Sequence, residues 1–572
     1  MQVSVPPRAW LWIIAFAAPT WVAYSQAPIT VFYNAALSVF GVGLLLLLLP
    51  AWRGSWAGPG AFAVSTAAAA WLAWQVTPLN ALLLAGAAAV LTAGFCLSRN
   101  DAAVAMRGLA FAGLGAGVLS ALIGLSQYVA PDLLPRWLVA MPATAGRAVG
   151  NLRQPNQLAT LLMLAICALA WMGSVQRWRW QALLPVQALL VLGVVLTSSR
   201  MGWLMIGMTV LWGVFDRRLS RPVRGMLIFA APAAALATAL AWAWGHWGGV
   251  TYFGEARLAT QSDISSSRFG IWSNTLELIR RHPISGVGWG DFNFAWSLTP
   301  FPGRPIAFFD HTHHLVLQLA VELGLPFTAA LIALFCWTLW HARRGVHAVD
   351  EVRAVTARVA LMMVALVLLH SLLEYPLWYP YFLFPTAFAL GIYLGTGWPA
   401  TTPAASPDTA TVARSGQLLQ ATVRAAGVLM VLGSLYAVWD YQRIVQIFAP
   451  YGATGERPLA ERIREGQKSW LFGHHADYAA VTTARHPSQV FAAFERPLHK
   501  LIDARLMVAY IKALTERGED AKAAYVAQRL REFRHPLGQE FLAACDDPAP
   551  MSKQPPPQCD TRMPPLGFED FR

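Results

Sequence analysis

Val31-Phe-Tyr-Asn-Ala-Ala-Leu-Ser-Val-Phe-Gly-Val-Gly-Leu-Leu-Leu-Leu-Leu-Leu-Pro50 runs for twenty residues without a charge. A helix of about 20 apolar residues is long enough to cross the hydrocarbon core of a bilayer. Ala81 to Leu97 is a second run of the same character. Of the 572 residues, 56% are hydrophobic and 13% charged, a charged share about half that of an average soluble domain. No water-soluble fold hides that much apolar side chain. The expectation is an all-α polytopic membrane protein, with the bilayer as solvent for most of the chain.

Thirteen spans are expected, near 10–24, 31–50, 58–75, 81–97, 108–128, 156–173, 182–198, 201–215, 225–245, 313–341, 356–372, 379–396 and 425–440. The first apolar run, Ala9 to Tyr24, follows Arg8 as a signal peptide would, but lacks a small-residue cleavage site and leads straight into further spans. It reads as a retained helix.

A net charge of +13 would suggest nucleic acid as the partner of a soluble protein. Here no nucleic acid is expected, because Lys and Arg in short loops hold those loops in the cytoplasm. With the N-terminus inside, the inner loops carry Arg53, Arg99, Arg107, Arg177, Arg179, Arg217, Arg218, Arg221, Arg224, Arg343, Arg344 and Arg414. The opposite turns 25–30, 76–80 and 373–378 carry none. That alternation leaves 129–155, 246–312 and everything after about Tyr441 outside the cytoplasm, in a bacterial inner membrane.

Two domains follow. Residues 1–441 form a transmembrane domain that includes the external loop 246–312. Residues 442–572 form a small helical external domain, with amphipathic stretches at Leu501 to Leu514 and Asp520 to Phe533 and a Pro-rich, disordered tail of about 25 residues. The Pro-, Thr- and Ala-rich segment 397–412 reads as a linker. Cys96, Cys167 and Cys336 lie singly within spans, whereas Cys545 and Cys559 share the external tail. That pair either closes a loop in an oxidising compartment or stays as two thiols.

Four polar clusters stand at the external face. Arg147-Ala-Val-Gly-Asn-Leu-Arg-Gln-Pro-Asn156 precedes a span, with Pro155 placed to open the helix. Its amides and arginines suit the hydroxyls and phosphates of a polar substrate, the alternative being a plain capping loop. Thr197-Ser-Ser-Arg-Met-Gly202 puts Arg200 at the membrane boundary, as a snorkelling anchor or as a planar fork for phosphate oxygens. Ser265-Ser-Ser-Arg268, with Trp272, offers a second such arginine or a solvated loop.

The fourth cluster is Asp310-His-Thr-His-His-Leu-Val-Leu-Gln-Leu-Ala-Val-Glu-Leu-Gly324. Three histidines in four residues invite zinc, but they point in different directions on a helix and no H-E-x-x-H accompanies them. No metal or other cofactor is expected. Acid–base chemistry fits better, since a helix N-terminus disfavours an added positive charge and keeps imidazole able to accept a proton. Gln318 and Glu322 follow His314 at four-residue steps on one helix face. A carboxylate two turns into a membrane is a functional candidate. Histidines that merely cap the helix are the alternative.

Together these clusters resemble the bacterial superfamily of O-antigen ligases, O-antigen polymerases and protein O-oligosaccharyltransferases. The stretch from His311 to Gly324 is similar to its signature, in which a His-Asn pair precedes a Gln and a Glu-x-Gly; His314 stands where Asn is usual. Arg200 in Ser-Arg-x-Gly and Arg268 in Ser-Arg-x-x-x-Trp resemble the family's two periplasmic arginines. Gly150-Asn-Leu-Arg-Gln-Pro-Asn156 and His370-Ser-Leu-Leu-Glu-Tyr-Pro-Leu-Trp-Tyr379 resemble motifs of the O-oligosaccharyltransferase branch, the pilin glycosylation ligases.

The resemblance covers roughly 140 to 400. It implies a GT-C fold and an oligosaccharide donor on undecaprenyl diphosphate, drawn from the membrane lipid. The acceptor is then a Ser or Thr of a periplasmic, pilin-like protein. His313 takes the place of the base, Arg200 and Arg268 of the diphosphate ligands, and Arg153, Gln154 and Asn156 of the glycan or acceptor contacts. His311, His314, Gln318, Glu322, His370 and Glu374 take supporting places. Ligation to lipid A–core, glycan polymerisation and lipid flipping are the competing functions; a flippase would need polar gates on both faces.

Overall fold

The computed structural model describes residues 6–50, 78–249, 252–255, 264–301, 303–398, 409–450, 457–545, 556–562 and 564–572. The expected span 58–75, the side chains of Ser265, Ser266 and Ser267, and most of the linker 397–412 lie outside the described residues. Among the described residues every regular element is helical. Six helices among the described residues are long and apolar enough to cross a membrane, and four shorter apolar helices accompany them. The chain divides into two compact units, residues 1–261 with 334–438 and residues 262–333 with 439–572.

The first unit contains α1 (Ala9–Phe16), α2 (Phe32–Leu48), α3 (Pro78–Val129), α4 (Pro155–Val175), α5 (Trp180–Leu196), α6 (Arg200–Phe215) and α7 (Arg221–Gly248). Later in the chain it adds α12 (Glu351–Ser371) and α13 (Pro380–Gly397). The expected spans 81–97 and 108–128 fall within α3, which departs from helical geometry at Asp101. The first expected span is shorter than 10–24. α1 stops at Phe16 and a 3-10 turn, Ala18–Thr20, follows, because Pro19 has no N–H to continue the ladder.

Beyond its first turns α4 is apolar all round and buried along most of its length, as a helix without a polar face must be. Trp171 Nε1 donates to Thr356 Oγ1 at 2.9 Å and ties α4 to α12. α13 lies against α3 backbone to backbone. A Cβ on Gly391 would overlap the Leu91 carbonyl, and one on Gly94 the Phe388 carbonyl. In lipid, where burying apolar surface gives helices no reason to associate, such small-residue contacts supply the packing.

The second unit is assembled from two distant stretches. From the first come α8 (Ile264–Arg281), α9 (Phe292–Leu298), α10 (Leu315–Leu323) and the start of α11 (Leu325–Val346). From the second come the end of α14 (Thr409–Phe448), then α15 (Leu459–Gln467), α16 (Gly473–Thr483), α17 (Glu495–Leu498), α18 (Ala504–Glu516), α19 (Asp520–Phe533) and α20 (Pro536–Leu542). Residues of both stretches share one core, with Phe292, Trp296, Leu506, Ile511 and Phe533 all buried. Phe308 stacks on Phe533 with ring centroids 3.9 Å apart, and Tyr525 Oη donates to the Leu298 carbonyl at 2.7 Å.

Arg304, 1% exposed, donates to the carbonyls of Trp296 and Thr299 and to Glu532. A buried guanidinium needs such complete pairing. Cys545 and Cys559 are joined in a disulfide.

Two expectations change here. The run 313–341 is not one span. Gly324, at φ 80, ends α10 where a Cβ would overlap the Ile284 carbonyl, and the membrane-length helix begins at Leu325. Glu322 therefore lies in a nine-residue helix of the second unit, too short to span by itself. The Pro-rich tail is also not uniformly disordered. Residues 564–572 pack down with Phe568 and Phe571 buried, 4% and 7% exposed, because two phenylalanines bring enough apolar area to offset ordering a short segment.

Candidate functional site

In the first unit the loop before α4 is fixed by buried amides. Gln127 Oε1 accepts from the Val149 and Gly150 amides at 2.9 and 2.8 Å. Asn151, fully buried, donates to the Trp21 and Leu138 carbonyls and accepts from the Ala140 amide. Gln154 then caps α4, its Oε1 accepting from Gln157 N at 2.6 Å, with Pro155 at the first helical position as expected. Arg153, at φ 56, donates to the Ala23 and Asn151 carbonyls. Part of its fork is thus engaged with backbone.

Asn156 is the hub of this group. Its Nδ2 donates to Glu374 Oε1 at 3.0 Å and its Oδ1 accepts from Ser199 Oγ at 2.6 Å. Ser199 Oγ also accepts from Gly202 N at 3.1 Å, capping the helix that Arg200 opens. Arg200 is exposed at that N-terminus. One turn along α4, Thr160 Oγ1 lies 2.8 Å from Nδ1 of the buried His370. Tyr381 Oη donates to Gln157 Oε1 at 2.9 Å. Two of the polar clusters, around Asn156 and Arg200, therefore meet the His370–Tyr379 motif here.

Composition did not single out Tyr375, Tyr379 and Tyr381, which stack in series with centroids 6.1 and 5.4 Å apart. The repeated Tyr-Pro at 375–376 and 379–380, with Tyr381 next, was the available signal. Arg147, also in the first cluster, donates to the Thr197 carbonyl at 3.0 Å and lies over Phe253.

In the second unit the histidine segment is wound round the start of α10. The Thr312 amide donates to Gln318 Oε1 at 2.8 Å, and Gln318 Nε2 donates to Glu322 Oε1 at 2.9 Å. The predicted face of Gln318 and Glu322 thus exists, and it clamps the loop. Trp272 Nε1, one turn beyond Arg268 on α8, donates to the Thr312 carbonyl at 2.9 Å. This brings the Ser-Arg-x-x-x-Trp motif to the histidine loop.

The helix cap is His314, whose Nδ1 accepts from Leu317 N at 3.3 Å; burial holds this imidazole below the usual histidine range. His313 precedes the cap with φ 56. A non-glycine residue held in the left-handed region costs of order 1–3 kcal/mol, and such residues concentrate at functional sites. The three rings have different neighbours, Asp310 for His311, Phe309 for His313 and Trp272 for His314. Among the described residues, no three His, Cys, Asp or Glu side chains are grouped to hold a metal ion.

Glu322, 6% exposed, accepts from the amides of Gly290 and Phe292 as well as from Gln318. Burial outweighs those bonds and pushes its pKa up to about 7.

These motifs have counterparts in known proteins. The pattern of the family described as O-antigen ligase matches residues 185–332, that of protein glycosylation ligase residues 148–172, and that of the C-terminal part of virulence factor membrane-bound polymerase residues 359–540. Over these segments the chain is similar to members of the O-antigen ligase superfamily. Within it, the chain is similar to two proteins of Acinetobacter baylyi (strain ATCC 33305 / BD413 / ADP1). One is a general O-oligosaccharyltransferase, 26% identical over 268 residues that make up 43% of each chain. The other is a ComP-specific O-oligosaccharyltransferase, 23% identical over 283 residues, 49% of each chain. The chain spans less than half the length of these curated relatives.

Proposed function

We propose that the protein transfers an oligosaccharide as a block from undecaprenyl diphosphate to Ser or Thr hydroxyls of periplasmic, pilin-like proteins. The observation that carries this reading is the hydrogen bond from Asn156 to Glu374. It joins the two motifs, around Gln154-Pro155-Asn156 and Glu374-Tyr375-Pro376, that resemble the protein-glycosylating branch. Both relatives are named O-oligosaccharyltransferases, which supports the transfer of an oligosaccharide.

In the proposed reaction, His313 takes the proton of the acceptor hydroxyl as its oxygen attacks the anomeric carbon. The bond from that carbon to the diphosphate breaks, and its electron pair leaves with the diphosphate, held by Arg200 and Arg268. Asn156, Gln154 and Arg153 contact glycan or acceptor, and His311, His314, Gln318, Glu322, His370 and Glu374 orient these groups. The setting is a GT-C fold of about thirteen spans in the inner membrane, with the loop 246–312 and the residues after about 441 periplasmic. Reporter fusions after Arg344 and after Tyr451 should read cytoplasmic and periplasmic; a cytoplasmic reading after Tyr451 rejects that orientation.

A second reading, glycan polymerisation, is favoured by the match of residues 359–540 to the polymerase family. One experiment separates them. The chain is expressed with a lipid-linked glycan pathway, with a pilin acceptor in one strain and a lipid A–core acceptor in another. Glycan on the pilin alone is expected. Glycan on lipid A–core, or lengthened lipid-linked glycan without protein modification, overturns the proposal.

A further inference from the structure

The loop 283–292 splints the far end of α10. Val287 N donates to the Val321 carbonyl at 2.8 Å, Gly288 N to the Glu322 carbonyl at 3.1 Å and Leu325 N to the Pro283 carbonyl at 2.8 Å. The Gly290 and Phe292 amides reach the Glu322 carboxylate itself. Gly286, at φ 67, allows the approach, since a Cβ there would overlap the Glu322 carbonyl. The position of Glu322, and through Gln318 that of Thr312 beside His313, thus depends on where this loop lies.

The outer side of the loop is held from the last residues of the second stretch. Arg572 Nη2 donates to the Val287 carbonyl and lies 3.4 Å from Asp291 Oδ2. Asp291 Oδ1 meets His499 Nδ1 at 2.8 Å. Phe568 packs edge-on to His282 and Phe294, with the Arg572 guanidinium over its ring, and Phe571 stacks on Tyr525. Glu569 lies 3.5 Å from His282. The segment 568–572 therefore bridges α19 and both ends of the loop.

We infer that Arg572, acting through Asp291 and the Val287 carbonyl, is a positioning residue for the Glu322–Gln318–Thr312 clamp on the histidine segment. This rests on the reading that His313 carries the chemistry. A guanidinium that spans a carboxylate and a carbonyl fixes the loop by direction as well as by charge. A small displacement of the loop would be passed to Thr312 through three hydrogen bonds, and misplacement of about 1 Å near a reacting group costs up to about a hundredfold in rate.

The test uses the full-length protein in detergent or nanodiscs, with Arg572→Ala, Arg572→Lys and Asp291→Asn, and Arg562→Ala as an exposed control. Amide hydrogen exchange is followed over 285–292 and 312–323, with α18 and α19 as internal reference. Glycan transfer is measured in parallel as kcat and donor KM. Arg572→Ala should speed exchange several-fold in the two segments only, and lower kcat about tenfold with KM nearly unchanged. Arg572→Lys should recover much of both.

Unchanged exchange in both segments overturns the inference. So does a Lys variant no better than Ala, which would mean that packing alone matters. If α18 and α19 also lose protection in Arg572→Ala, the unit is unfolding and Asp291→Asn, which removes the charge and keeps the shape, decides by the same segment-specific exchange. A parent protein without transferase activity would reject the proposed function, while the exchange arm would still judge the contact.

Discussion

Asn156 and Glu374 are 218 positions apart in the chain and 3.0 Å apart in the fold, amide nitrogen to carboxylate oxygen. Asn156 also receives the Ser199 hydroxyl at 2.6 Å, so one side chain aligns three motifs. Asn156→Asp should set two carboxylates against each other and lower transfer at least tenfold. Adding Glu374→Gln should restore a good part of it, because the new amide can donate where the old carboxylate only accepted. A double-mutant cycle on transfer rate measures this; additive losses would show that the pair is not coupled.

His313→Ala should reduce transfer by about 10²–10⁴-fold, the usual contribution of a general base, with donor binding retained. His311→Ala should only weaken it. His313→Gly is informative in another way. It relieves the backbone at φ 56 and should leave the protein as stable as the parent, or more so, while remaining inactive. Chelators should have no effect. Turnover of His313→Ala within a few-fold of the parent, or zinc-dependent recovery after chelation, would reassign the histidine segment.

Arg200→Ala and Arg268→Ala should each remove most transfer, and Lys should rescue only in part, since it keeps the charge and loses the fork. Arg343→Ala, in the last turn of α11, serves as the control. Normal rates in both alanine variants at normal membrane levels would leave the diphosphate without these ligands.

Glu322 sets a pH dependence of stability. Its pKa is about 7 in the fold against 4.5 for a free side chain. The stability tied to its proton is therefore fully present below about pH 4.5 and is lost as pH rises through about 7. The difference is roughly 3 kcal/mol at most by linkage. Glu322→Gln mimics the protonated form and should flatten the fall in Tm of the parent between pH 5.5 and 8. Parallel curves for parent and variant would mean that Glu322 does not titrate in this range.

The membrane class was legible in uncharged runs such as Val31 to Pro50, because a bilayer imposes length and polarity on every crossing segment. The site was legible where it consists of local devices. Pro155 after Gln154 announces a capped helix, and Gln318 and Glu322 at four-residue steps announce a shared face; both are present. The end of α10 carried a local signal that the expected span 313–341 passed over, since Gly324 is followed by Pro326, which has no N–H to continue the ladder. The Ile284 carbonyl against Gly324 then leaves no room for a side chain there.

Partners far apart in the chain were hidden. Nothing local in Arg304 points to Glu532, and nothing in a Pro-rich tail points Phe568 toward Phe294. Those contacts depend on tertiary shape rather than on pattern. The same holds for the ion pair between Arg358 and the buried Asp216, which ties α12 to the end of α6.

The second unit draws on residues 262–333 and on residues 439–572, with the spans of α12 and α13 encoded between them. During synthesis the earlier stretch emerges first and has no core of its own to join. Ile502 N, which pairs with Asn293, and Tyr525, which pairs with Leu298, do not yet exist. The shared core can close only after the ribosome has delivered more than a hundred further residues. A chain halted before α18 would thus hold every motif named in the polar clusters and still lack the shared core, so completion of the second unit waits on the synthesis of residues 439–572.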